Sequence, residues 1–339
     1  MTTPPVPPPP QARLMQMATG YFLSRLVYLT AKLRIADHLA SGPKTAEELA
    51  PVVGCHQRAL YRFLRALTNF ELVTLQSDRR FASTPLLDAL RTDAPGHIHS
   101  AVITMSGPAF WNAWTDLPYS IATGECAFTK ANGKPIFDFL GEHPDDARRF
   151  SETMLSLNAA EPAAVAAAYD FSSAGLVVDV GGASGGMLAD VLSRHQSARG
   201  LLFDLRQATT EAPALLRKFG VESRARIEHG SFFDAVPDGG DIYILSHIIH
   251  DWDDEKSLVI LRNCRRAMSA ASRLLVIERV LSDGSPSGFG SSDISMLVLA
   301  GGAERTADEF KALLATAGLE MTRVIPTTTS TSIVEARAI

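Results

Sequence analysis

The sequence predicts an α/β chain, in which a largely parallel sheet with helices on both faces follows a mostly helical N-terminal part. Two observations predict this class. Short apolar runs alternate with helical patterns from residue 176 onward, and a glycine-rich turn follows the first of these runs. Such alternation is typical of a parallel sheet covered by helices. With 339 residues, the chain is long enough for two domains.

Composition and charge exclude several classes of protein. The chain is 46% hydrophobic and 20% charged, with a net charge of −5, which is ordinary for a globular protein and disfavours nucleic acid as the main partner. The three cysteines lie far apart, so neither a disulfide framework nor a metal site is predicted. No apolar run reaches the roughly 20 residues of a membrane span. We therefore expect a cytoplasmic protein with no membrane partner.

The N-terminal part reads as an extended arm followed by a winged-helix domain. Residues 1–10 are rich in proline, which predicts a disordered arm. Residues 11–105 begin with two apolar helical patterns that need a partner surface. A helix then starts at Thr45 with Glu48 as a capping box, a second covers 57–69, and a hairpin covers 72–84 around a Ser77-Asp78 turn. This order of elements is a winged-helix outline.

A winged helix leaves two functions open. Arg58, Arg62 and Arg65 lie along its second helix, as in a DNA-binding domain. However, residues 44–80 contain six basic and four acidic residues, a weak surplus for binding a polyanion. A scaffold that pairs two subunits explains both the apolar helices and the weak charge.

Residues 106–170 are predicted to form a helical connector that contributes to a ligand pocket. This stretch is rich in aromatic residues, most of which are expected in the core. The aromatic residues include Phe110, Trp111, Trp114, Phe128, Phe137 and Phe139.

Residues 171–339 carry the alternation of strands and helices. The predicted strands cover 176–180, 201–205, 225–229, 241–245 and 273–281. A helix from Thr306 to Ala317 begins with a capping box of Thr306 and Glu309 and ends at Gly318. Two further strands are expected near 319–325 and 331–337.

The segment 177–186, VVDVGGASGG, predicts a turn at which a ligand approaches the backbone. A dinucleotide fingerprint would need a third glycine where Ala183 stands, and Asp179 is badly placed for a pyrophosphate. An acid before the loop suits a ligand with a positive amine and no phosphate, such as S-adenosylmethionine. Asp204, at the end of the next strand, can accept both ribose hydroxyls or can cap a helix.

The segment 250–259, HDWDDEKSLV, places His250 between a buried strand and a helix. Asp251 or Asp253 can cap that helix. Ligands of open α/β sheets bind at the carboxyl ends of the strands, so His250 is a candidate base. The alternative is a structural histidine that hydrogen-bonds the turn.

Taken together and in order, several segments resemble the small-molecule O-methyltransferases that use S-adenosylmethionine, which include plant caffeate and flavonoid enzymes and bacterial polyketide and phenazine tailoring enzymes. These segments are VVDVGGASGG, GLLFDL, HGSFFDAVP, HDWDDE, LLVIERVL, DISML, GGAERTADEF and STSIVEA. The resemblance covers nearly the whole length. It implies an N-terminal winged-helix dimerisation domain, a C-terminal Rossmann-like class I methyltransferase domain, a homodimer and a small aromatic acceptor.

The resemblance also implies roles for individual residues. His250 would be the general base, with Glu278 and Glu304 orienting it. The cofactor contacts would be Asp179, Gly181, Gly182, Asp204, Leu205, Ser231, Phe232 and Ser246. The acceptor contacts would be Trp111, Met154, Asn158, Asp251, Ile294, Met296 and Leu297. Many relatives have an acid where Ser231 stands, a lysine or arginine where Ser246 stands, and a glycine where Ala183 stands.

The chemistry of a histidine base favours an acidic acceptor. A histidine of pKa about 6.5 and a phenol of pKa about 10 differ by roughly 3.5 units, or about 5 kcal/mol, and an alcohol is much farther away. A phenolic or enolic hydroxyl is therefore the expected acceptor. Three alternatives remain open: non-methylating use of the same cofactor for hydroxylation or decarboxylation, a winged-helix regulator that senses a small molecule, and a nicotinamide dehydrogenase.

Overall fold

The computed structural model describes residues 8–282 and 290–339. Most of the arm predicted at residues 1–10 lies outside that range. The chain forms two compact units, one within Met1–Trp111 and His143–Leu157, the other of Asn112–Glu142 and Asn158–Ile339. Residues 106–170, expected to form a connector, are shared between the two units. No helix in the described ranges has both the length and the hydropathy to cross a bilayer.

The helices of the described ranges follow one another in chain order. They are α1 (Pro10–Ala18), α2 (Gly20–Lys32), α3 (Ile35–Leu39), α4 (Ala46–Val53), α5 (Gln57–Thr68), α6 (Pro85–Asp88), α7 (His99–Met105), α8 (Pro108–Thr115), α9 (Leu117–Thr123), α10 (Ala127–Asn132), α11 (Ile136–Glu142), α12 (Pro144–Leu157), α13 (Glu161–Ala168), α14 (Gly186–Arg194), α15 (Ala212–Lys218), α16 (Asp254–Ala267), α17 (Gly290–Leu299) and α18 (Ala307–Thr316).

The strands are numbered in the same way. They are β1 (Val73–Leu75), β2 (Phe81–Ser83), β3 (Leu176–Val180), β4 (Arg199–Asp204), β5 (Ala225–His229), β6 (Ile242–Ser246), β7 (Arg273–Glu278), β8 (Val280–Leu281), β9 (Arg305–Thr306), β10 (Leu319–Pro326) and β11 (Ser332–Ala338).

The first unit is a helical domain with one small hairpin. Helix α4 begins at Thr45, whose side chain accepts from the Glu48 backbone while Glu48 accepts from Thr45, so the predicted capping box is confirmed. Strands β1 and β2 pair antiparallel, and Leu64 and Phe81 are fully buried in the core beside them. By contrast, α1 has no buried residue.

The second unit is built on a seven-stranded sheet in the order β10-β11-β7-β6-β3-β4-β5. Strand β11 runs antiparallel to both β7 and β10, and the remaining pairs are parallel. One apolar core lies on each face of this sheet, as the alternation of strands and helices predicted. The carboxyl ends of β3, β4, β6 and β7 therefore lie along one edge of the sheet.

The run 273–281 is two strands, and its prediction as one strand was wrong. Strand β7 ends at the fully buried Glu278, and after Arg279 the half-buried β8 pairs with β9 in a separate parallel sheet. The apolar pattern continues through 280–281 because β8 is also partly covered, so the sequence showed no break. Of the two residues that can cap the helix after His250, the structure selects Asp253, whose side chain accepts from the Lys256 backbone.

Candidate active site

His250 lies in a single 3₁₀ turn, Ile249–Asp251, between β6 and α16. Strand β6 is buried along its length, and the acidic cap of α16 at Asp253 starts a new helix only three residues beyond His250. The side chain of His250 is 9% exposed. The predicted location, between strand and helix at the carboxyl edge of the sheet, is confirmed.

Three carboxylates surround the imidazole of His250. Its Nδ1 lies 3.5 Å from Glu304 Oε1, and its Nε2 lies 3.7 Å from Asp251 Oδ1. Glu278 and Glu304 are almost completely buried. Burial alone would lower the pKa of His250, but the charges of Glu278, Asp251 and Glu304 outweigh it and raise that pKa to about 9.

Glu278 also holds the backbone of this turn. Its Oε1 accepts the backbone N–H groups of Ile249 at 2.7 Å and His250 at 3.1 Å. Burial raises the pKa of the Glu278 carboxyl. The residue therefore contributes a charge to the imidazole and a hydrogen-bond acceptor to the main chain that carries it.

Glu304 is fixed from the opposite side. Its Oε1 accepts from the Ser292 hydroxyl at 2.5 Å and lies 3.6 Å from Arg279 Nη1, and its backbone N–H donates to Asp293 at 3.0 Å. Burial opposes ionisation of Glu304, but the neighbouring His250 imidazole, the Ser292 hydroxyl and the Arg279 charge outweigh it and lower its pKa. Glu304 is therefore a carboxylate at neutral pH.

Two further residues shape the turn, and sequence reasoning missed both. The buried guanidinium of Arg305 donates to the carbonyls of Ile249 at 3.1 Å and Trp252 at 3.0 Å. At Gly302, an added Cβ would lie 2.0 Å from the carbonyl oxygen of His250, so any side chain would collide with the turn. Both residues lie in the quoted segment GGAERTADEF, but a sequence does not show which carbonyls an arginine reaches.

The glycine-rich loop after β3 packs closely against neighbouring side chains and lies beside a buried acid. Gly181 has φ +73°, and an added Cβ would lie 2.5 Å from Ile248 Cδ1. Asp179 is fully buried, and no described residue hydrogen-bonds either of its carboxyl oxygens. A buried carboxyl without a partner, next to a loop that excludes side chains, fits a ligand that brings a positive group.

Asp204 lies at the end of β4, next to the same loop. Its Oδ2 accepts from the Ala183 backbone at 2.9 Å and its Oδ1 from the Leu205 backbone at 2.6 Å. Each oxygen keeps a second lone pair that a ribose hydroxyl can use. Ala183 has φ +46°, a conformation that costs a non-glycine residue about 1–2 kcal/mol. Ala183 therefore adopts the left-handed backbone conformation of this loop, although that conformation is unfavourable for alanine.

The other predicted cofactor residues lie at the ends of neighbouring strands. Phe232, after β5, has its ring against Gly181, and Leu205 is 45% exposed. An added Cβ at Gly182 would overlap the Asp179 carboxyl. The hydroxyl of Ser231 accepts from the Phe233 backbone at 3.2 Å, whereas that of Ser246 donates to Glu161. The structure thus brings the ring of Phe232 to the glycine loop, and it engages both serine hydroxyls in other contacts.

The predicted acceptor residues divide between the two units. Trp111, which stacks on Arg25 at 4.7 Å, and Met154, in α12, belong to the first unit. The other five lie in the second unit: Asn158, Asp251, Ile294, Met296 and Leu297. The last three of these occupy α17, and Asp251 lies next to His250.

The cluster around His250 could also hold a metal ion. His250, Glu278 and Glu304 each offer one ligand atom, and these atoms lie within 4.8 Å of one another. Sequence reasoning missed this possibility because it relied on cysteine spacing, and the three residues are far apart in the chain. Imidazole and carboxylate ligands suit several divalent cations.

Asp179 should make the stability of the free protein depend on pH. Burial raises its pKa to about 7, so the protonated side chain favours the folded state at low pH, and that stability is lost as pH rises from about 4 to 7. Asp179→Asn should remove this slope. Between about pH 5.5 and 8.5, we expect wild type to lose about 2 kcal/mol more than the variant. Urea unfolding at both pH values measures this difference, and parallel losses would contradict the assignment.

Two family models match the chain in agreement with this geometry. An O-methyltransferase domain matches residues 114–320, and an O-methyltransferase dimerisation domain matches residues 15–93. The fold and the site define a methyltransferase that uses S-adenosylmethionine. The chain belongs to the O-methyltransferase family.

Individual relatives are similar over nearly their whole length. The phenazine O-methyltransferase PhzM of Lysobacter antibioticus is 43% identical over 327 residues, covering 96% of each chain. The phenazine-1-carboxylate N-methyltransferase of Pseudomonas aeruginosa is 35% identical, covering 96% of this chain and 97% of its own. The O-methyltransferase NcsB1 of neocarzinostatin biosynthesis, solved with S-adenosylmethionine and 2-hydroxy-5-methyl naphthoic acid, has a TM-score of 0.84 at 34% identity, covering 94% and 96%.

Proposed function

We propose that the protein methylates a phenolic or enolic hydroxyl of a small aromatic natural product, with His250 as the general base. The observation that supports this most is the buried imidazole among three carboxylates. The phenazine and naphthoate chemistry in the names of its relatives agrees with an aromatic acceptor.

The roles of the residues follow from their contacts. Glu304 faces Nδ1 of His250 at 3.5 Å and Asp251 faces Nε2 at 3.7 Å. We assign Nε2 as the nitrogen that takes the acceptor proton, and the carboxylates stabilise the imidazolium that forms. Asp179 is placed to meet a positive group, and Asp204 to meet two hydroxyls. S-adenosylmethionine, when bound, supplies a methyl group already activated by its sulfonium. Holding the acceptor oxygen close to that methyl contributes effective molarities of about 10⁵ to 10⁸ M.

The raised pKa of His250 favours oxygen over nitrogen as the acceptor atom. Some relatives are N-methyltransferases, but a neutral amine keeps a lone pair and needs no base before it attacks. A phenol of pKa about 10 does need one, and a base of pKa about 9 lies only about 1 unit below it, or roughly 1.4 kcal/mol. The site is therefore better suited to a hydroxyl.

The first experiment pairs binding with turnover. The protein should bind S-adenosylhomocysteine, the demethylated product, at micromolar concentration in calorimetry and should not bind NAD, while Asp204→Ala should bind it at least about tenfold more weakly. Radiolabelled methyl transfer to hydroxynaphthoates and hydroxyphenazines should proceed equally with and without EDTA. Transfer to the amino and not the hydroxyl group of an aminophenol would reject O-methylation, and loss of activity in EDTA would assign the cluster to a metal.

We also propose a homodimer formed through α1 and α2. Leu14, Met17 and Phe22 are 68%, 69% and 54% exposed, which is unusual for adjacent apolar side chains on a monomer. Light scattering at micromolar concentration should show a dimer, and Leu14→Glu with Met17→Glu should give a monomer. Val52→Glu, at an exposed apolar residue of α4, should leave the dimer intact. A monomeric wild type would contradict this proposal.

A further inference from the structure

A second imidazole lies beside His250 and has no role in the chemistry described so far. His247 directly follows β6, and its ring centroid is 5.2 Å from that of His250. Its Nε2 lies 2.9 Å from Glu161 Oε2. The side chain of His247 keeps 18% exposure, whereas that of Glu161 keeps 6%. A carboxylate-bound histidine thus stands next to the base.

Glu161 is held in place to orient His247. It is the first residue of α13, and its backbone N–H donates to the carbonyl of Asn158 at 3.0 Å. Its Oε1 accepts from the Ser246 hydroxyl at 3.2 Å. Burial alone would raise the pKa of Glu161, but its hydrogen bonds, first the one from His247, outweigh it and lower that pKa. The group is therefore an ionised acceptor that fixes one ring nitrogen.

The backbone of His247 has a strained conformation that helps to set the position of its imidazole ring. Its φ is +55°, a left-handed conformation that is strained for a residue with a side chain. Its N–H donates to the Ile277 carbonyl on β7 at 3.1 Å, which holds the conformation. Strained residues cluster at functional sites. Here it turns the chain out of β6 so that the two histidine rings are neighbours.

One nitrogen of His247 remains available. Because Nε2 faces a carboxylate, the neutral tautomer carries its proton there and leaves a lone pair on Nδ1. Within residues 8–282 and 290–339, no group hydrogen-bonds this nitrogen. It can therefore accept a proton-bearing group of a ligand.

We propose that the His247–Glu161 pair determines acceptor specificity. Nδ1 accepts a hydrogen bond from a hydroxyl or amino group adjacent, on the aromatic ring, to the hydroxyl that His250 deprotonates. The proposal rests on the proposed function, since it requires His250 to face the acceptor. The two rings are centred 5.2 Å apart, close enough for adjacent substituents of one aromatic ring to meet both imidazoles. The preferred acceptors are aromatic vicinal diols and ortho-aminophenols.

The test compares naphthalene-2,3-diol with 2-naphthol, which share a ring system and differ by the adjacent hydroxyl. Wild type should favour the diol by at least about tenfold in kcat/KM. His247→Gly removes the imidazole and relieves the left-handed strain, so the fold is not put at risk. In this variant the diol should fall to the level of 2-naphthol, while kcat/KM for 2-naphthol and the affinity for S-adenosylhomocysteine change by less than about twofold.

The controls separate recognition from structure. Glu71→Gly, at a left-handed residue of the first unit with φ +56°, should leave both acceptors unaffected. Glu161→Gln should weaken the preference for the diol without abolishing it. Equal losses for both acceptors in His247→Gly, or no preference in wild type, would overturn the proposal.

A binding measurement makes the outcome independent of turnover. Calorimetric titration of the protein loaded with S-adenosylhomocysteine should show the same preference for the diol, and its loss in His247→Gly. If the diol binds through His247 but neither naphthol is methylated, the proposed function fails and the role of His247 stands. If the protein loaded with S-adenosylhomocysteine binds the diol and 2-naphthol equally, the proposed role of His247 is rejected, whatever the turnover.

Discussion

His250→Ala should lower methyl transfer by about 10² to 10⁴, the usual contribution of a general base, while the affinity for S-adenosylhomocysteine stays within about twofold. The physical reason is that the imidazole lies among Asp251, Glu278 and Glu304, which we assign to proton transfer and not to cofactor binding. Rates measured at saturating cofactor, with calorimetry on the same preparation, check both parts. His38→Ala, in α3 of the first unit, is the matched control.

The pH profile makes this prediction sharper. Because the pKa of His250 is raised to about 9, the base is protonated at neutral pH, and kcat/KM of wild type should rise about tenfold per unit until about pH 9. His250→Ala should lack this rise. A wild-type profile that levels off near pH 6.5, or a variant that loses cofactor affinity as much as rate, would reject the assignment.

The same shift has a consequence for stability, with a definite sign. The imidazolium favours the folded state, so its contribution is complete below about pH 6.5 and is lost as pH rises through 9. The full effect is about 3 kcal/mol, at 1.36 kcal/mol per pKa unit. The protein should therefore be least stable in the alkaline range where its base is most active.

Glu278→Ala should destabilise the protein by about 3 kcal/mol. The substitution removes the acceptor of two buried N–H groups, those of Ile249 and His250, and each unpaired group costs about 1–3 kcal/mol. Urea unfolding at neutral pH measures the loss of free energy. We expect activity to fall as well, because the turn that holds the base loses its support.

Glu278→Gln separates the two roles of this side chain. The amide oxygen can still accept both backbone hydrogen bonds, so most of the stability should remain. Its missing charge should move the rise of kcat/KM from about pH 9 toward lower pH, since Glu278 is the first of the charges that raise the pKa of His250. Equal destabilisation by alanine and glutamine would reject the role of Glu278 as a hydrogen-bond acceptor for the turn, and an unmoved profile would reject the role of its charge.

Part of the site could be predicted because it depends on local pattern. A buried strand followed by an acidic helix start placed His250 on its turn, and an acid before a glycine-rich loop indicated the kind of ligand. The capping boxes at Thr45 and Thr306 were also predictable, since both partners lie three residues apart. In each case the residues that carry the prediction lie only a few positions apart in the sequence.

The rest could not be predicted because it depends on contacts between distant segments. Glu161 meets His247 across 86 positions, and nothing at the start of α13 indicates such a partner. The sequence predicts an ordinary pKa for His250, because the resemblance places Glu278 and Glu304 near it but shows neither their distances nor their burial. The strand break after Glu278 escaped prediction because β8 is apolar enough to continue β7.

Strands β8 and β9 pair with each other close to Glu278 and Glu304, at the two ends of the chain segment that joins the two strands. Val280 pairs with Arg305 and Leu281 with Thr306, so the backbone is joined just after Glu278 and again just after Glu304. The distance between the two carboxylates is set by this join and not by the length of the intervening chain. Evolution can therefore change other residues of the segment between β8 and Gly302 to suit new acceptors while Glu278 and Glu304 stay in place, provided that Ser292 and Asp293, which hold Glu304, are kept.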